Sequence, residues 1–284
     1  MSLKNIELCK QVELSQYTTI KIGGAAKYFF HINTRDELAQ IIKDSGPEVH
    51  LLGKGSNLLV SDKGVTKPVI QLGEDFNYIK PVGYYLEVGA ATPLPRLLHY
   101  CLEQKLAGFS PLAGIPATIG GLLCMNASSF GATIADLLSE VQVMDFKGQI
   151  KTIPRSQIQC YYRSSSLQEF IIIGARFIIL HDHNVRQSIN SFLKKRLSRQ
   201  DFTAPSCGCI FKNPPGTYAG LLIETCGLKG YCHAGAQISR RHANFIINVG
   251  GARYNDVDYL IRMAQFQVFR KFNVCLQEEI KRWS

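Results

Sequence analysis

Residues Pro111–Gly131 read PLAGIPATIGGLLCMNASSFG and lie inside a run of 30 residues, Leu106–Ala135, without a charged side chain or a histidine. About 20 apolar residues suffice to span a bilayer, but the two prolines and five glycines of this run would break a lone membrane helix. Glycines at this density let backbone N–H groups approach a ligand closely and point at it, as in loops that bind phosphate. The pattern leaves two interpretations open: a phosphate-binding loop, or a buried glycine-rich turn that binds nothing.

A second glycine-rich loop follows the first predicted α/β unit. Thr34–Glu37 has the sequence of a helix capping box, Gly46-Pro47 ends that helix, and the short strand Val49–Leu52 runs into Gly53-Lys-Gly-Ser-Asn57. The loop lacks the spacing of a P-loop and the third glycine of a dinucleotide fingerprint. What remains is a Gly-x-Gly-Ser-Asn turn at a strand end, which suits a pyrophosphate but has low specificity.

The rest of the chain alternates predicted strands and helices without an internal repeat. Thr92-Pro93 begins one helix, Val185–Arg199 is a basic helix, and its Lys194–Arg199 cluster is interpreted as a solvated face. Tyr218–Cys226 is a short helix, and Asn255 is predicted to cap a helix with a buried apolar stripe. The remaining predicted strands are Ala26–Ile32, Leu58–Val60, Val69–Leu72, Tyr84–Val88, Val141–Asp145, Ile171–Leu180 and Ala243–Val249.

Length and composition limit the possible classes of protein. A chain of 284 residues can hold two or three domains, and 46% hydrophobic with 19% charged residues is the composition of an ordinary soluble globular protein. The net charge of +10 favours anionic partners. A non-enzymatic nucleic-acid-binding protein would interleave aromatic residues with Lys and Arg on one surface, and only the Lys194–Arg199 cluster approaches that pattern. We therefore expect no nucleic-acid partner.

The nine cysteines indicate the compartment. Most sit beside apolar residues rather than in a disulfide framework, and Met1–Lys10 lacks the apolar segment of a signal peptide. The spacings among Cys207, Cys209, Cys226 and Cys232 fit no standard zinc pattern, so no metal is expected. The cysteine pattern predicts a reduced, cytoplasmic protein.

Seven segments together resemble one family, in that family's order and at sensible separations. They are TTIKIGG at Thr18–Gly24, LLGKGSNLLVSD at Leu51–Asp62, GIPATIGGLLCMNASSFG at Gly114–Gly131, YYRSSS at Tyr161–Ser166, SCGCIFKNP at Ser206–Pro214, AGLLIETCGLKG at Ala219–Gly230 and HANFIIN at His242–Asn248. Across nearly its whole length the chain resembles the enolpyruvyl-UDP-N-acetylglucosamine reductase family, MurB. The short gap between Tyr162 and the Ile171–Leu180 strand is similar to the type II branch of that family.

The resemblance implies a mixed α+β flavoenzyme with the two-subdomain FAD-binding fold of the vanillyl-alcohol-oxidase (PCMH-type) class and a C-terminal α+β substrate domain. It implies FAD-binding subdomains at residues 1–80 and 81–184, a substrate domain at 185–284, and a C-terminal tail packed on the first subdomain. It further implies that NADPH reduces FAD. The flavin then reduces the enolpyruvyl ether of UDP-N-acetylglucosamine to UDP-N-acetylmuramate for peptidoglycan synthesis. We also expect a monomer without membrane insertion.

The resemblance assigns FAD to the two glycine-rich segments. The implied cofactor-binding residues are Gly53, Lys54, Gly55, Ser56, Asn57 and Leu58 from one segment, and Gly114, Ile115, Pro116, Thr118, Ile119, Gly120, Gly121, Asn126, Ser128 and Gly131 from the other. Ala117 and the pair Ser128-Ser129 depart from the family pattern. These residues are small, so we expect the flavin site to survive.

Three residues match catalytic positions of the family. Arg163 matches its active-site arginine, and a permanently charged bidentate donor suits a carboxylate that gains electron density. Without the resemblance Arg163 would be interpreted as a surface arginine in a loop. Glu279 matches the catalytic glutamate, with the adjacent Glu278 as the alternative. Cys209 stands where the family usually has a proton-donating serine, and a thiol, with a pKa near 8.5, is far more acidic than an alcohol.

Four further residues, Lys212, Asn213, Gln237 and His242, are expected to contact the substrate, although each could instead be structural. Leu221 replaces a lysine that is usual in the family, which removes a candidate anion contact, and Asp201 replaces a proline. Together with Cys209, the Leu221 departure keeps an alternative open. That alternative is another flavin-dependent oxidoreductase of the same fold with a different carboxylate substrate, because a fold does not fix a substrate.

Overall fold

Two compact units form the part of the chain that the computed structural model describes, residues 7–284. Unit 1 contains residues 7–10, Tyr28–Lys54 and Lys67–Arg196, and unit 2 contains Gln11–Lys27, Gly55–Thr66 and Leu197–Ser284. Each unit is therefore built from separate pieces of the sequence. The division at residues 80 and 184 that the sequence suggested stays a prediction.

Helices and strands alternate along the described residues. In chain order the helices are α1 Arg35–Ser45, α2 Leu94–Gln104, α3 Ile119–Cys124, α4 Val185–Arg199, α5 Ala219–Thr225 and α6 Tyr254–Phe272. The strands are β1 Glu7–Glu13, β2 Ala25–Ile32, β3 His50–Leu51, β4 Leu58–Val60, β5 Val69–Leu72, β6 Ile79–Val82, β7 Tyr85–Gly89, β8 Ser128–Ser129, β9 Ala132–Thr133, β10 Leu138–Met144, β11 Ile150–Pro154, β12 Cys160–Tyr161, β13 Ser164–Ser165, β14 Ile171–Ile178, β15 Ser206–Cys209, β16 Cys232–His233, β17 Ala236–Ile238, β18 Phe245–Asn248 and β19 Lys281–Trp283.

The first sheet of unit 1 has the strand order β1-β2-β5-β3, and its strands β2, β5 and β3 run parallel. Helix α1 crosses between β2 and β3 and begins with the predicted capping box, in which Thr34 and Glu37 each accept a hydrogen bond from the other's amide. Its Leu38, Ile41 and Ile42 are buried in the core of this layer. Because parallel strands end at the same edge, the loops after β3 and β5 meet there.

The second sheet of unit 1 is antiparallel, with the order β11-β10-β14-β7-β6. Helix α2 buries Leu94, Leu97 and Cys101 in the same core as the strand residues Val88 and Val141. Strand β7 ends at Gly89, and the next residues, Ala90 and Ala91, run beside α3, where the amide of Gly120 donates to the Ala90 carbonyl at 2.8 Å. The residues that follow β7 therefore pack against the start of α3.

Unit 2 combines an antiparallel sheet, β15-β18-β17-β16, with helices α5 and α6. Helix α6 buries the apolar stripe that the sequence predicted: Val257, Leu260, Ile261, Ala264 and Val268. The C-terminal strand β19 lies parallel to β4, with Lys281 opposite Leu58 and Trp283 opposite Val60. Two short segments far apart in the sequence thus form one ladder inside unit 2.

The predicted start of α6 is wrong. The helix begins at Tyr254 with Arg253 as its N-cap, not after Asn255. Two carboxylates accept the free amides of its first turn: Asp256 accepts from Arg253 at 2.9 Å, and Asp62 accepts from Tyr254 at 3.0 Å. Acidic groups are favourable at a helix N-terminus, so this start needs no asparagine cap.

The interpretation of Lys194–Arg199 as a solvated face is also wrong in one position. Arg196 is only 7% exposed, whereas Lys194 and Lys195 are exposed. The uncharged run Leu106–Ala135 contains the six-residue α3 and a small hairpin, β8 with β9. Within residues 7–284, none of the helices has the length and apolar character needed to cross a membrane.

Candidate active site

A cavity of about 420 Å³ opens in unit 1 where the parallel sheet and α3 meet. It is lined by the loop after β3, by the end of β5, by Ala90 and Ala91 after β7, and by Thr118, Gly120 and Gly121 at the start of α3. Ligand pockets in proteins typically have volumes of about 300–1,000 Å³. Its place at the carboxyl edge of parallel strands is where open α/β sheets bind ligands.

Two glycines let the walls of this cavity come close together. A Cβ atom at Gly53 would lie 2.9 Å from the Thr118 Oγ1, and one at Gly120 would lie 3.1 Å from the Ala90 Cβ. Thr118 caps α3, and its hydroxyl accepts from the amide of Gly121 at 3.3 Å. Larger residues at either glycine would push the two walls apart or fill the cavity, so the backbone itself forms this surface.

The hairpin β8–β9 is held by two arginines of unit 1. Arg163 donates from Nη1 to the carbonyl and the hydroxyl of Ser128, at 3.0 and 3.2 Å. Arg196 donates from Nη2 to the Ser129 hydroxyl at 2.6 Å and from Nε to the Ala113 carbonyl at 2.7 Å. Adjacent serines therefore bind different arginines, and the buried guanidinium of Arg196 ties both ends of the glycine-rich segment together.

Asn126 carries an unpaired buried acceptor beside this hairpin. Its Nδ2 donates to the Tyr161 carbonyl at 3.0 Å, whereas its Oδ1 is buried without a hydrogen-bond partner. Its backbone has a left-handed φ of 41°, which asparagine tolerates better than most residues. An unpaired buried carbonyl oxygen costs free energy, so this atom is suited to accept from a bound ligand.

In unit 2 the structure brings Cys209 and Glu279 to neighbouring backbone positions. Cys209 ends β15, and the carbonyl of the next residue, Ile210, accepts from the amide of Glu279 at 2.8 Å. The pairing continues antiparallel through Phe211 and Glu278, and the Lys212 amide donates to the Gln277 carbonyl at 2.8 Å. The predicted proton donor and the predicted glutamate thus lie on adjacent segments of one small ladder.

The side chain of Glu278, the alternative to Glu279, is held in a salt bridge. Arg282 donates from Nε and Nη2 to the two carboxylate oxygens of Glu278, at 2.7 and 2.9 Å. Arg282 also binds the Asp258 carboxylate and the Tyr254 hydroxyl. Burial alone would lower the pKa of Arg282, but these hydrogen bonds outweigh it and raise that pKa above its usual value. The carboxylate of Glu278 is therefore held by Arg282, and which of Glu278 and Glu279 is the catalytic group stays a prediction.

The four residues expected to contact the substrate differ in their hydrogen-bond partners. Asn213 accepts from the Ala219 amide at 3.1 Å, and Gln237 donates to the Gly230 carbonyl at 3.1 Å, so both already serve local structure. The Nδ1 of His242 accepts from the Asn244 amide at 3.2 Å, and burial lowers the pKa of His242. A neutral ring with Nδ1 as acceptor carries its proton on Nε2 and can donate it there. Lys212 lies on the small ladder described above, where its amide donates to the Gln277 carbonyl.

The thiols of unit 2 are chemically unequal. Cys207 is buried, and burial raises the pKa of Cys207 to about 12, which keeps it an inert thiol. Cys209 is half-buried and Cys232 is exposed. Within the described part of the chain, no three His, Cys, Asp or Glu side chains come together in a way that could hold a metal ion.

Known proteins match this arrangement over nearly the whole chain. Residues 200–283 match the family model described as UDP-N-acetylenolpyruvoylglucosamine reductase, C-terminal domain, and residues 26–154 match that of the FAD-binding domain. The UDP-N-acetylenolpyruvoylglucosamine reductase 2 of Symbiobacterium thermophilum is 37% identical over 277 residues, which cover 95% of this chain and 90% of the relative. The corresponding reductase of Moorella thermoacetica is 38% identical over 276 residues, covering 95% and 91%.

This chain belongs to the UDP-N-acetylenolpyruvoylglucosamine reductase (MurB) family. The crystal structure of MurB from Thermus caldophilus is similar to it with a TM-score of 0.86 and 34% identity, and 99% of each chain is covered. Membership of the MurB family confirms the resemblance seen in the sequence, the mixed α+β fold and the FAD-binding domain. The chain is thus an oxidoreductase of a flavin-dependent family.

The residues expected to bind FAD in a MurB protein fall into two groups here. Those that line the cavity are Gly53, Lys54, Thr118, Gly120 and Gly121. Those outside its lining are Gly55, Ser56, Asn57, Leu58, Gly114, Ile115, Pro116, Ile119, Asn126, Ser128 and Gly131. Several of the second group have evident packing roles. A Cβ at Gly114 would lie 2.8 Å from the Arg196 Cδ, and Ile119 is fully buried in the core.

Sequence reasoning missed part of the cavity. Ala90 and Ala91, together with residues 70–74 within and after β5, line it, but the sequence analysis gave none of them a binding role. The signal was present, because Gly89-Ala-Ala-Thr92 is a run of small residues directly after a strand. Small residues at such a position allow a ligand to approach the backbone.

Proposed function

We propose that this chain catalyses the NADPH-dependent, FAD-mediated reduction of UDP-N-acetylenolpyruvoylglucosamine to UDP-N-acetylmuramate, a step in peptidoglycan precursor synthesis. The observation that carries the proposal is the glycine-walled cavity of unit 1, most of whose lining lies in the segment that matches the FAD-binding domain. The relatives' shared name supports the substrate, and the net charge of +10 suits three anionic ligands.

The residues of unit 1 fit a bound dinucleotide. Gly53 and Gly120 leave space that a Cβ would occupy, Lys54 supplies a positive charge at the rim, and Asn126 offers an unpaired buried acceptor nearby. In our proposal these residues hold FAD. When bound, FAD supplies the hydride chemistry that connects NADPH to the enol ether.

In our proposal Arg163 binds the carboxylate of the substrate. Reduction of the terminal alkene carbon places negative charge on the carbon that bears the carboxylate, and a guanidinium beside it stabilises that charge. Ser128 holds Nη1 through its carbonyl and hydroxyl, so the guanidinium is oriented before substrate binds. A positive φ of 59° at Arg163 is a further constraint on its direction.

Cys209 is assigned as the proton donor and Glu279 as its acid–base partner. Protonation of the carbanion breaks the S–H bond, forms the C–H bond and leaves a thiolate that must regain a proton. The carboxyl group of Glu279, on the adjacent backbone segment, is assigned to this proton exchange. All nine cysteines are free thiols, which supports the proposal that the protein works in the reducing cytoplasm. We further propose that it is a monomer.

An absorption spectrum followed by an anaerobic titration tests the proposed function. We expect a flavin band that NADPH bleaches and that the enolpyruvyl UDP-sugar then restores. A band that is bleached but not restored would refute the substrate and favour the alternative oxidoreductase, for which the exposed Leu221 in place of a lysine is the specific observation. A purified protein that takes up no FAD would refute the proposal as a whole.

A further inference from the structure

Asn57 contacts the C-terminal segment at two points. Its Nδ2 donates to the Glu279 carbonyl at 3.1 Å, and its own carbonyl accepts from the Lys281 amide at 2.9 Å. These contacts join residues 222 and 224 positions apart in the sequence, and both lie within unit 2. The asparagine of the Gly-x-Gly-Ser-Asn turn therefore holds the backbone on both sides of Ile280.

The backbone of Glu279 is fixed from the other direction as well. Its amide donates to the Ile210 carbonyl at 2.8 Å, so both polar groups of its main chain are bound. The neighbouring Glu278 is locked by Arg282, which is itself anchored to Asp258 and Tyr254 of α6. Rotation about the Glu279 backbone is thus restricted, and the starting point of its side chain is set by these contacts.

We propose that Asn57 is a positioning residue for the Glu279 carboxyl group, acting through the Glu279 carbonyl. The inference rests on the proposed function, in which Glu279 exchanges protons at the reacting carbon. Without the Nδ2 donor the Glu279 carbonyl loses one partner and the segment around it loosens. A misplacement of about 1 Å in a catalytic group can cost on the order of 100-fold in rate. The cysteine and the carboxyl group would then still be present but poorly aligned.

A double-mutant cycle between Asn57 and Glu279 tests this role. We expect Asn57→Ala to lower kcat by about tenfold or more while KM and the FAD content change by less than about twofold. In a Glu279→Gln background the same change should lower kcat by less than about twofold, because the group that Asn57 positions is already lost. Asn57→Asp, which keeps the shape but replaces the donor with an oxygen, should behave like Asn57→Ala.

Asn248→Ala is the matched control. Asn248 also donates from Nδ2 to a backbone carbonyl of unit 2, that of Ile20 at 3.1 Å. Removing it should lower the melting temperature without changing kcat. Amide hydrogen exchange over residues 277–283 should become faster in Asn57→Ala and stay unchanged in Asn248→Ala, and this measurement needs no substrate.

The outcomes separate the positioning role from the proposed function. Loss of FAD in Asn57→Ala would make Asn57 a cofactor ligand and overturn the inference. The inference would also be overturned if the two substitutions lowered kcat independently, so that their effects multiplied in the double variant. Unchanged amide exchange over residues 277–283 in Asn57→Ala would overturn it as well. If the wild-type protein binds FAD but does not reduce the UDP-sugar, the proposed function fails first, and the positioning role for this reaction fails with it. Faster amide exchange in Asn57→Ala would then show only that Asn57 stabilises the C-terminal segment.

Discussion

At the scale of single residues, the thiol of Cys209 makes the clearest prediction. Cys209→Ala should lower the rate of substrate reduction by about 100-fold or more, whereas Cys209→Ser should retain most of it, because general acid catalysis is typically worth about 10²–10⁴-fold. Iodoacetamide should inactivate the wild type and spare Cys209→Ser. That comparison keeps the exposed Cys232 and Cys275 constant, and buried Cys207 should stay unlabelled. An equally fast Cys209→Ala enzyme would show that another group is the acid.

The adjacent serines of the β8–β9 hairpin allow a second prediction at this scale. Ser128→Ala removes the hydroxyl that accepts from Arg163 and keeps the carbonyl, so kcat should fall by about two- to tenfold while FAD content is unchanged. Ser129→Ala removes the hydroxyl that binds Arg196 and should lower the melting temperature with little effect on kcat. Steady-state kinetics and thermal melts of both variants check this division. The reverse pattern would mean that Ser129, not Ser128, orients the arginine of the site.

At the scale of elements, the packing of α4 against the glycine-rich segment depends on Arg196. Arg196→Met removes the donors of the Ala113 and Pro111 carbonyls and of the Ser129 hydroxyl, and leaves buried acceptors unpaired. The free energy of unfolding should fall by about 3 kcal/mol. Lys194→Met on the same helix, at an exposed position, should change it by less than about 0.5 kcal/mol. Urea denaturation of the two variants measures both; equal effects would contradict the buried role of Arg196.

Elements with strong local signals were predictable from the sequence, and contacts between distant residues were not. The capping box of α1 and the bounds Val185–Arg199 and Val69–Leu72 agree with the structure because caps, glycines and apolar periodicity act over a few residues. The start of α6 was missed because Asp62, which accepts from the amide of its first residue, lies 192 residues away. The burial of Arg196 was missed for the same reason, since its acceptors lie in another segment. The seven family motifs identified the family, but the partner of Asn57 required the structure.

At the scale of the whole molecule, two histidines predict how stability depends on pH. Burial lowers the pKa of His242 and, aided by the charge of Lys67, that of His50. Each folded-state pKa lies below the unfolded value of 6.5, so between the two values the unfolded chain binds more protons. The two histidines should therefore cost no free energy of unfolding above about pH 7, and the free energy of unfolding should decrease as the pH drops below about 6.5.

Thermal melts at about pH 7.5 and about pH 5.5 test this dependence. The wild type should melt at a lower temperature at the acidic pH, and the double variant His50→Gln, His242→Gln should show a smaller difference between the two. The substitutions remove the groups that must charge, one in each unit. An unchanged difference in the double variant would assign the acid sensitivity to other groups.

The ladder between β4 and β19 has a consequence for how the chain is made. A ribosome adds about 5–20 residues per second, so roughly 11–45 seconds pass between the synthesis of β4 and that of β19, its partner 223 residues downstream. During that interval the nascent chain carries Ile20 and Leu59, which are fully buried in the finished protein, without the later residues that cover them. Contacts of such long sequence separation also form slowly because of their loop-closure entropy. Unit 2 therefore matures last, and its early segments are a natural target for chaperones while translation is still under way.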